Sequence, residues 1–204
     1  RTAASKMPRV DAIGVSSAGV FIGNAPMVSS LFIKVPREKR ELVKTIYDRA
    51  ARELGDVPIV VANDGDVTAL AGAMGLECGS VMGMAMGTSE AVGYVDRDGN
   101  VLGWLNELAF APVDLNEEAM ADEWSTDRGV GCKYFSQDAV IKLAPQAGIQ
   151  LDEGLTPAEK LKVVQGLMEQ DDARAAAIYD SIGAYLAYTV VLYSQFYELR
   201  HLIV

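Results

Sequence analysis

The chain has 204 residues, half of them apolar and 23% charged, which suits one large domain or two small ones around a real core. Its net charge of −10 argues against a nucleic-acid partner, because phosphate binding calls for a basic surface. No apolar run reads as bilayer-spanning and no charged-then-apolar leader opens the chain, so no membrane partner is expected and a cytoplasmic protein is.

Taken in chain order, Val10 to Val15 is a short apolar run before the small residues Ser16 to Gly19, and predicts a buried strand entering a loop. Arg37 to Leu54 predicts one amphipathic helix, with Leu42, Val43, Ile46, Ala50 and Leu54 near the helical repeat and Gly55 as its stop. Val57 to Ala62 is a β-branched run that predicts a strand, with Pro58 tolerated only at its start. Asn63 to Asp66 then reads as a polar turn, and Val67 to Leu76 as a helix of small residues. Ser80 to Met86 and Ala91 to Val95 predict strands around Gly87-Thr88-Ser89. Asp98-Gly99-Asn100 is a hairpin signal, and Val101 to Leu105 is expected to continue the sheet. Asn106 to Asp114 and Trp124 to Gly131 read as loops, and Tyr134 to Ala144 as a helix. Thr156, Pro157 and Glu159 spell a capped helix start. Asp172 to Tyr197 predicts the longest helix. Strands alternating with helices, with hairpins mixed in, make the class α/β with a mixed sheet.

Several residue types in this order carry chemistry. Asp64 and Asp66 directly follow a buried strand, where α/β folds place reactive groups. A carboxylate there can take a proton from a substrate hydroxyl, or orient it. It can equally cap the following helix, and Asp66 is the better placed of the two for capping. Gly87, Thr88 and Ser89 form a tight turn able to present backbone N–H groups to a phosphate, although most such turns are only turns. Asn106 and Glu107 offer an amide and a carboxylate, a combination suited to sugar hydroxyls; a solvated loop is the alternative. Met82, Met84 and Met86 alternate with Gly83 and Ala85 as a core-facing stripe rather than a metal-binding row. His201 is the only histidine, and Cys78 and Cys132 form no CxxC pair, so neither a histidine-based nucleophile nor a conventional zinc site is expected. Arg1 stands where an initiator Met would, and His201 to Val204 reads as an unfinished strand, so a fragment is expected.

These pieces, in this order, resemble the ROK (repressor, open reading frame, kinase) family of sugar kinases. Ile13 to Gly19 (IGVSSAG) resembles the family's IGxGxPG loop, and Val60 to Leu70 (VVANDGDVTAL) its strand ending in Asn-Asp. Gly87 to Val95 (GTSEAVGYV) resembles the GTGxGGG turn, Gly103 to Phe110 (GWLNELAF) the GExGH loop, and Gly131 to Tyr134 (GCKY) the GCLE segment. The helix from Asp172 and the run Leu202-Ile203-Val204 resemble the elements before the family's adenine-side glycines. The resemblance covers nearly the whole chain.

It implies an actin-like ATPase (ribonuclease H-like) fold, with mixed sheets, helices and two lobes around a cleft. Residues 1–66 would belong to the N-terminal lobe and 67–204 to an incomplete C-terminal lobe. It implies ATP-dependent phosphorylation of a hexose or amino sugar, with Asp64 as general base, ATP and Mg2+ as cofactors and a possible homodimer. Asn63, Asn106, Glu107 and Gly19 would meet the sugar; Gly87, Thr88 and Ser89 would hold the ATP phosphates. The departures are specific. Phe110 replaces a zinc- and sugar-binding His, Tyr134 replaces a sugar-binding Glu, and of the zinc cysteines only Cys132 survives. Ser89, Glu90, Ala91 and Val92 replace much of the glycine run, with Glu90 expected to add unfavourable charge if it faces ATP. The DxGxT phosphate loop and the adenine-side glycines are absent, so the chain by itself is not expected to phosphorylate a sugar. The alternative is a non-catalytic sugar sensor or transcriptional regulator on the same fold.

Overall fold

The computed structural model describes residues 4–204; the Arg1 end noted above lies outside them. The first half builds a parallel pair, β1 (Ile13–Ser17) beside β4 (Ile59–Asn63), in a register that places Ser17 opposite Asn63. Between them lie a small hairpin, β2 (Val20–Ile22) and β3 (Ala25–Val28), and two short helices, α1 (Arg40–Lys44) and α2 (Ile46–Glu53). The single helix expected over 37–54 is therefore divided. A 3-10 turn covers Arg37–Lys39, and the ladder breaks at Thr45, whose hydroxyl bonds back to the Leu42 carbonyl (3.5 Å). Local bonding of this kind competes with the helix ladder. Across the break Leu42 and Ile46 stay exposed. The α2 helix is held instead by Tyr47, which meets the Phe21 ring edge-on (6.0 Å) and the Ser17 hydroxyl (3.2 Å). Gly55, in the left-handed region (φ 103°), ends the helix as expected.

The chain then enters α3 (Asp64–Leu76), β5 (Val81–Met86) and β6 (Glu90–Val95). β5 is the centre of a three-stranded sheet, antiparallel to β6 and parallel to β7 (His201–Ile203). Alternation gives the sheet two buried faces of different character. Met82, Met84, Val92 and Tyr94 join Phe135 and Tyr193 in the main core. Met82 and Met84 are fully buried, as the alternating stripe predicts. The other face presents Gly83 and Gly93, which are cross-strand partners, to α3. A Cβ on either would overlap the helix backbone at Ala69 or at Gly65 and Asp66. Two glycines side by side let a helix of small residues lie directly on the sheet.

Val101 to Leu105 does not extend the sheet: a single bridge joins Val101 to Val95. The Asp96 carboxylate closes the turn on itself by accepting from Asp98 N and Asn100 N, and Trp104 and Leu105 emerge exposed.

Three helices complete the second half: α4 (Gln137–Gln146), α5 (Pro157–Met168) and α6 (Ala173–Tyr193). They share a core of Val140, Ala144, Ile149, Val164, Ala175 and Ile178. Thr156 and Glu159 form the expected capping box on α5. The longest helix stops at Tyr193, short of the expected Tyr197. At 21 residues it is long and apolar enough to cross a membrane, by length and composition alone, contrary to the sequence reading. In this fold it packs α4 and α5 and sends Tyr193 into the main core.

Candidate active site

The β4 strand delivers Asn63 and Asp64 to the first turn of α3 rather than to a free polar turn. Asn63 is the N-cap: its Oδ1 accepts from Gly65 N (2.8 Å), while its Nδ2 donates to the Gly19 carbonyl (2.9 Å). Neither Asp64 nor Asp66 caps the helix; both occupy its first turn, at the positive end of the helix dipole. Gly19 holds this junction because only glycine fits. Its φ is 125°, and a Cβ would run into Val28 and Ser29. The amide of Asn63 thus locks the β1 loop against the start of α3, and Asp64 projects beside it, partly exposed.

Asp66 lies deeper. Burial pushes its carboxyl above the usual carboxylate range. A hydrogen bond from Asn106 and one from the Tyr94 backbone pull it back, and the charge of Asp64 adds to the rise. Asn106 donates to Asp66 Oδ1 (3.3 Å) and accepts from the Tyr197 hydroxyl (3.0 Å). Glu107 is also raised, first by burial of its carboxyl and then by the charges of Asp64 and Asp66, although the residue as a whole is solvent-exposed. The structure therefore joins Gly19, Asn63, Asp64, Asn106 and Glu107 into one constellation, and adds Asp66 and Tyr197. The sequence offers Asp66 as a strand-end carboxylate and favours it as the cap, a role that Asn63 fills instead. Sequence reading missed Tyr197, which lies 91 residues beyond its partner.

The Gly87-Thr88-Ser89 turn joins β5 to β6, the hairpin on which the start of α3 rests through Gly65 and Gly93. Its Gly87 N–H is taken by the Ser89 carbonyl (3.1 Å), and the Gly87 carbonyl accepts from Gln137 N (2.9 Å). Thr88 and Ser89 are exposed. Glu90 does not add charge to this turn. Its side chain folds inward against Gly131, 5% exposed, and both carboxyl oxygens lack a hydrogen-bond partner among the described residues. Burial pushes its pKa up to about 8.

The remaining motif positions turn away from this constellation. Phe110 packs against Trp124 (5.4 Å). The Tyr134 hydroxyl donates to Asp114 (2.6 Å), on the wall of a hollow of about 200 Å3 that Lys142 and Tyr185 also line. Cys132 is buried, and burial followed by the neighbouring Asp122 pushes its thiol up to about 12. His201 sits exposed on β7. Lys133, buried beneath the surface, is paired with Glu123 and with Asp138 (2.7 Å). No group of three or more His, Cys, Asp or Glu residues converges to hold a metal ion among the described residues. A second, apolar hollow of about 540 Å3 lies between Trp104, Leu192 and Phe196. Neither of these two hollows is lined by Asp64 or Glu107.

No family model matches the chain, and no curated protein matches it. Solved structures do. A ROK family transcriptional regulator, a homolog of the E. coli MLC protein, superimposes with a TM-score of 0.69 at 14% identity, covering 98% of this chain and 51% of that one. A candidate sugar kinase from Cytophaga hutchinsonii gives 0.68 at 16% identity, covering 98% and 65%. A ROK family glucokinase from Streptomyces griseus, solved with glucose and AMPPNP, gives 0.56 at 19% identity, covering 74% and 53%. The chain spans about half to two thirds of the length of these structures. It has the fold of ROK sugar kinases and ROK regulators, the actin-like α/β fold that its motifs imply.

Proposed function

We propose that this chain, built on the ROK fold, forms the sugar side of a carbohydrate kinase in which Asp64 is the general base. The observation that carries the reading is the constellation at the β4–α3 junction. Carboxylates of Asp64, Asp66 and Glu107 and the amides of Asn63 and Asn106 come together at one strand end. Acceptors and donors in that mixture match the hydroxyls of a hexose or amino sugar. In the proposed step, Asp64 accepts the proton of one sugar hydroxyl as its oxygen bonds to the γ-phosphorus of ATP. The bond from that phosphorus to the bridging oxygen breaks, and ADP leaves. Positioning and charge neutralisation supply most of the rate. Among the described residues no set of acidic side chains converges on a metal position, and Mg2+ would be held chiefly by the nucleotide phosphates. Thr88 and Ser89 are the proposed phosphate contacts. Gly87 contributes shape rather than its N–H, which Ser89 occupies. Further parts of the proposal are a lobe boundary near Asp66, a homodimer and a cytoplasmic location, with no zinc, membrane or nucleic-acid partner for this chain.

The test uses the full-length protein with ATP and a panel of hexoses and amino sugars. Turnover of at least one sugar is expected, abolished by Asp64→Ala with sugar binding largely kept. Absence of phosphorylation across the panel overturns the reading. A second reading, a sugar sensor without catalysis, is favoured by Phe110, Tyr134 and the occupied Gly87 N–H. Calorimetry that finds sugar binding and no nucleotide binding would establish it.

A further inference from the structure

We propose that Tyr197 is a positioning residue of the sugar site: its hydroxyl anchors the Asn106 amide, and through it supports the charged Asp66 carboxylate. The inference rests on the sugar-site reading above and extends it to a residue outside every motif.

A primary amide has a donor end and an acceptor end, and nothing in Asn106 itself decides which faces Asp66. Tyr197 decides it. A phenol that donates to Asn106 Oδ1 (3.0 Å) leaves Nδ2 to donate to Asp66 Oδ1 (3.3 Å). The flipped amide would set oxygen against carboxylate oxygen. Tyr197 is itself held by aromatic packing, edge-on to Tyr94 (5.0 Å) and tilted against Trp104 (5.8 Å). The Tyr94 hydroxyl in turn donates to the Glu198 carbonyl (2.9 Å), which pins the segment after α6 to β6. A rigid aromatic anchor thus reaches the first turn of α3 through one amide.

Asp66 needs that support. Burial and the neighbouring Asp64 favour its protonated form, Glu107 is a further acid at the same opening, and no ion pair among the described residues includes any of the three. The donors on Asp66 are the Asn106 amide and the Tyr94 backbone. Losing the amide removes one of the two groups that keep a charged acceptor there.

Tyr197→Phe is the informative variant, because it keeps the ring contacts and removes only the hydroxyl. Calorimetry on the full-length protein, with whichever sugar of the panel binds wild type, should show a loss of affinity of about two- to tenfold at pH 7, the size of one neutral hydrogen bond. The loss should grow as pH is lowered, since Asp66 then takes up its proton more readily than in wild type. Asn106→Ala should lose at least as much, and the double variant no more than Asn106→Ala alone. Carbon NMR of the Asp66 carboxyl, recorded without sugar, should show its titration moved upward in Tyr197→Phe. Wild-type affinity and an unchanged Asp66 titration in Tyr197→Phe would overturn the proposal. If wild type binds no sugar, the sugar-site reading fails instead, and the carboxyl titration still decides whether Tyr197 controls Asp66.

Discussion

Asn63 makes two structural bonds with the same side chain that is proposed to meet the sugar. Its oxygen caps α3 and its nitrogen ties the Gly19 loop to the end of β4. Asn63→Ala removes both, and a cap plus one partly buried hydrogen bond amount to about 1–3 kcal/mol. Asn63→Asp separates them, because a carboxylate still caps but meets the Gly19 carbonyl with no donor. Chemical denaturation should therefore rank wild type first, Asn63→Asp second and Asn63→Ala last. Equal stability of the two variants would mean that the tie to Gly19, and not the cap, holds the junction. The ordering also bears on Asp64, whose place beside the opening depends on the helix starting where Asn63 starts it.

At the scale of elements, the contact that positions the site is α3 lying on β5 and β6. Gly93 touches the backbone of Gly65 and Asp66, so Gly93→Ala must lift the turn that carries Asp64. Overpacking of this kind costs about 1–3 kcal/mol or more, and here the obstacle is backbone that cannot rotate aside. Gly75, in the same helix, has open space where a Cβ would go. Gly75→Ala should stabilise by about 0.5–1 kcal/mol, as expected for a helix-interior glycine. Thermal unfolding of the pair should shift in opposite directions, and a neutral Gly93→Ala would refute the close approach. This contact was not legible in the sequence, since a glycine in a strand has no side chain to declare which face it serves. The apolar runs of β5 and β6 were legible because burial on both faces leaves continuous hydrophobic stretches, and β4 was legible from its β-branched residues although Val60 stands exposed. The β2–β3 hairpin went unread, because its short strands expose Ile22, Met27 and Val28 and show no alternation. The helix start at Asp64 was hidden by its own acidic first turn, which reads as a loop. Asp64, Asn106 and Glu107 were found through motif order, whereas the bonds joining Asp66, Asn106 and Tyr197 span 40 and 91 residues and leave no local trace.

The molecule as a whole should lose stability as pH rises through the neutral range, and Glu90 is the main reason. Unfolded, its carboxyl titrates near 4.5; folded, it is pushed up to about 8 by burial beside Gly131, with no partner for either oxygen. Between those values the folded chain holds a proton that the unfolded chain releases. Stability therefore falls with pH across that window and levels off above it. Asp66 and Glu107, also raised, act in the same direction. Asp114, lowered first by the Tyr134 hydroxyl, and Asp122, where burial is outweighed by donors in the Ser125 turn and the Lys133 charge, act in the opposite one. Their stabilisation is present above the ordinary carboxylate range and fades as pH falls below it. The optimum should accordingly lie near pH 5, between the acid loss of the second group and the alkaline loss of the first. The shift of Glu90 sets a ceiling of about 5 kcal/mol on its share. Glu90→Gln isolates that share, since it keeps the shape and cannot ionise. Its stability relative to wild type, measured by denaturation at each pH, should be near zero at pH 4.5 and rise to about 2 kcal/mol or more at pH 8. A difference that stays flat from pH 4.5 to 8 would show that Glu90 keeps its ordinary titration and that the buried proton is held elsewhere. Because Glu90 begins the strand that follows Gly87-Thr88-Ser89, the same titration should loosen that turn first, seen as faster amide exchange at Gly87 and Gln137 above pH 8 than in Glu90→Gln.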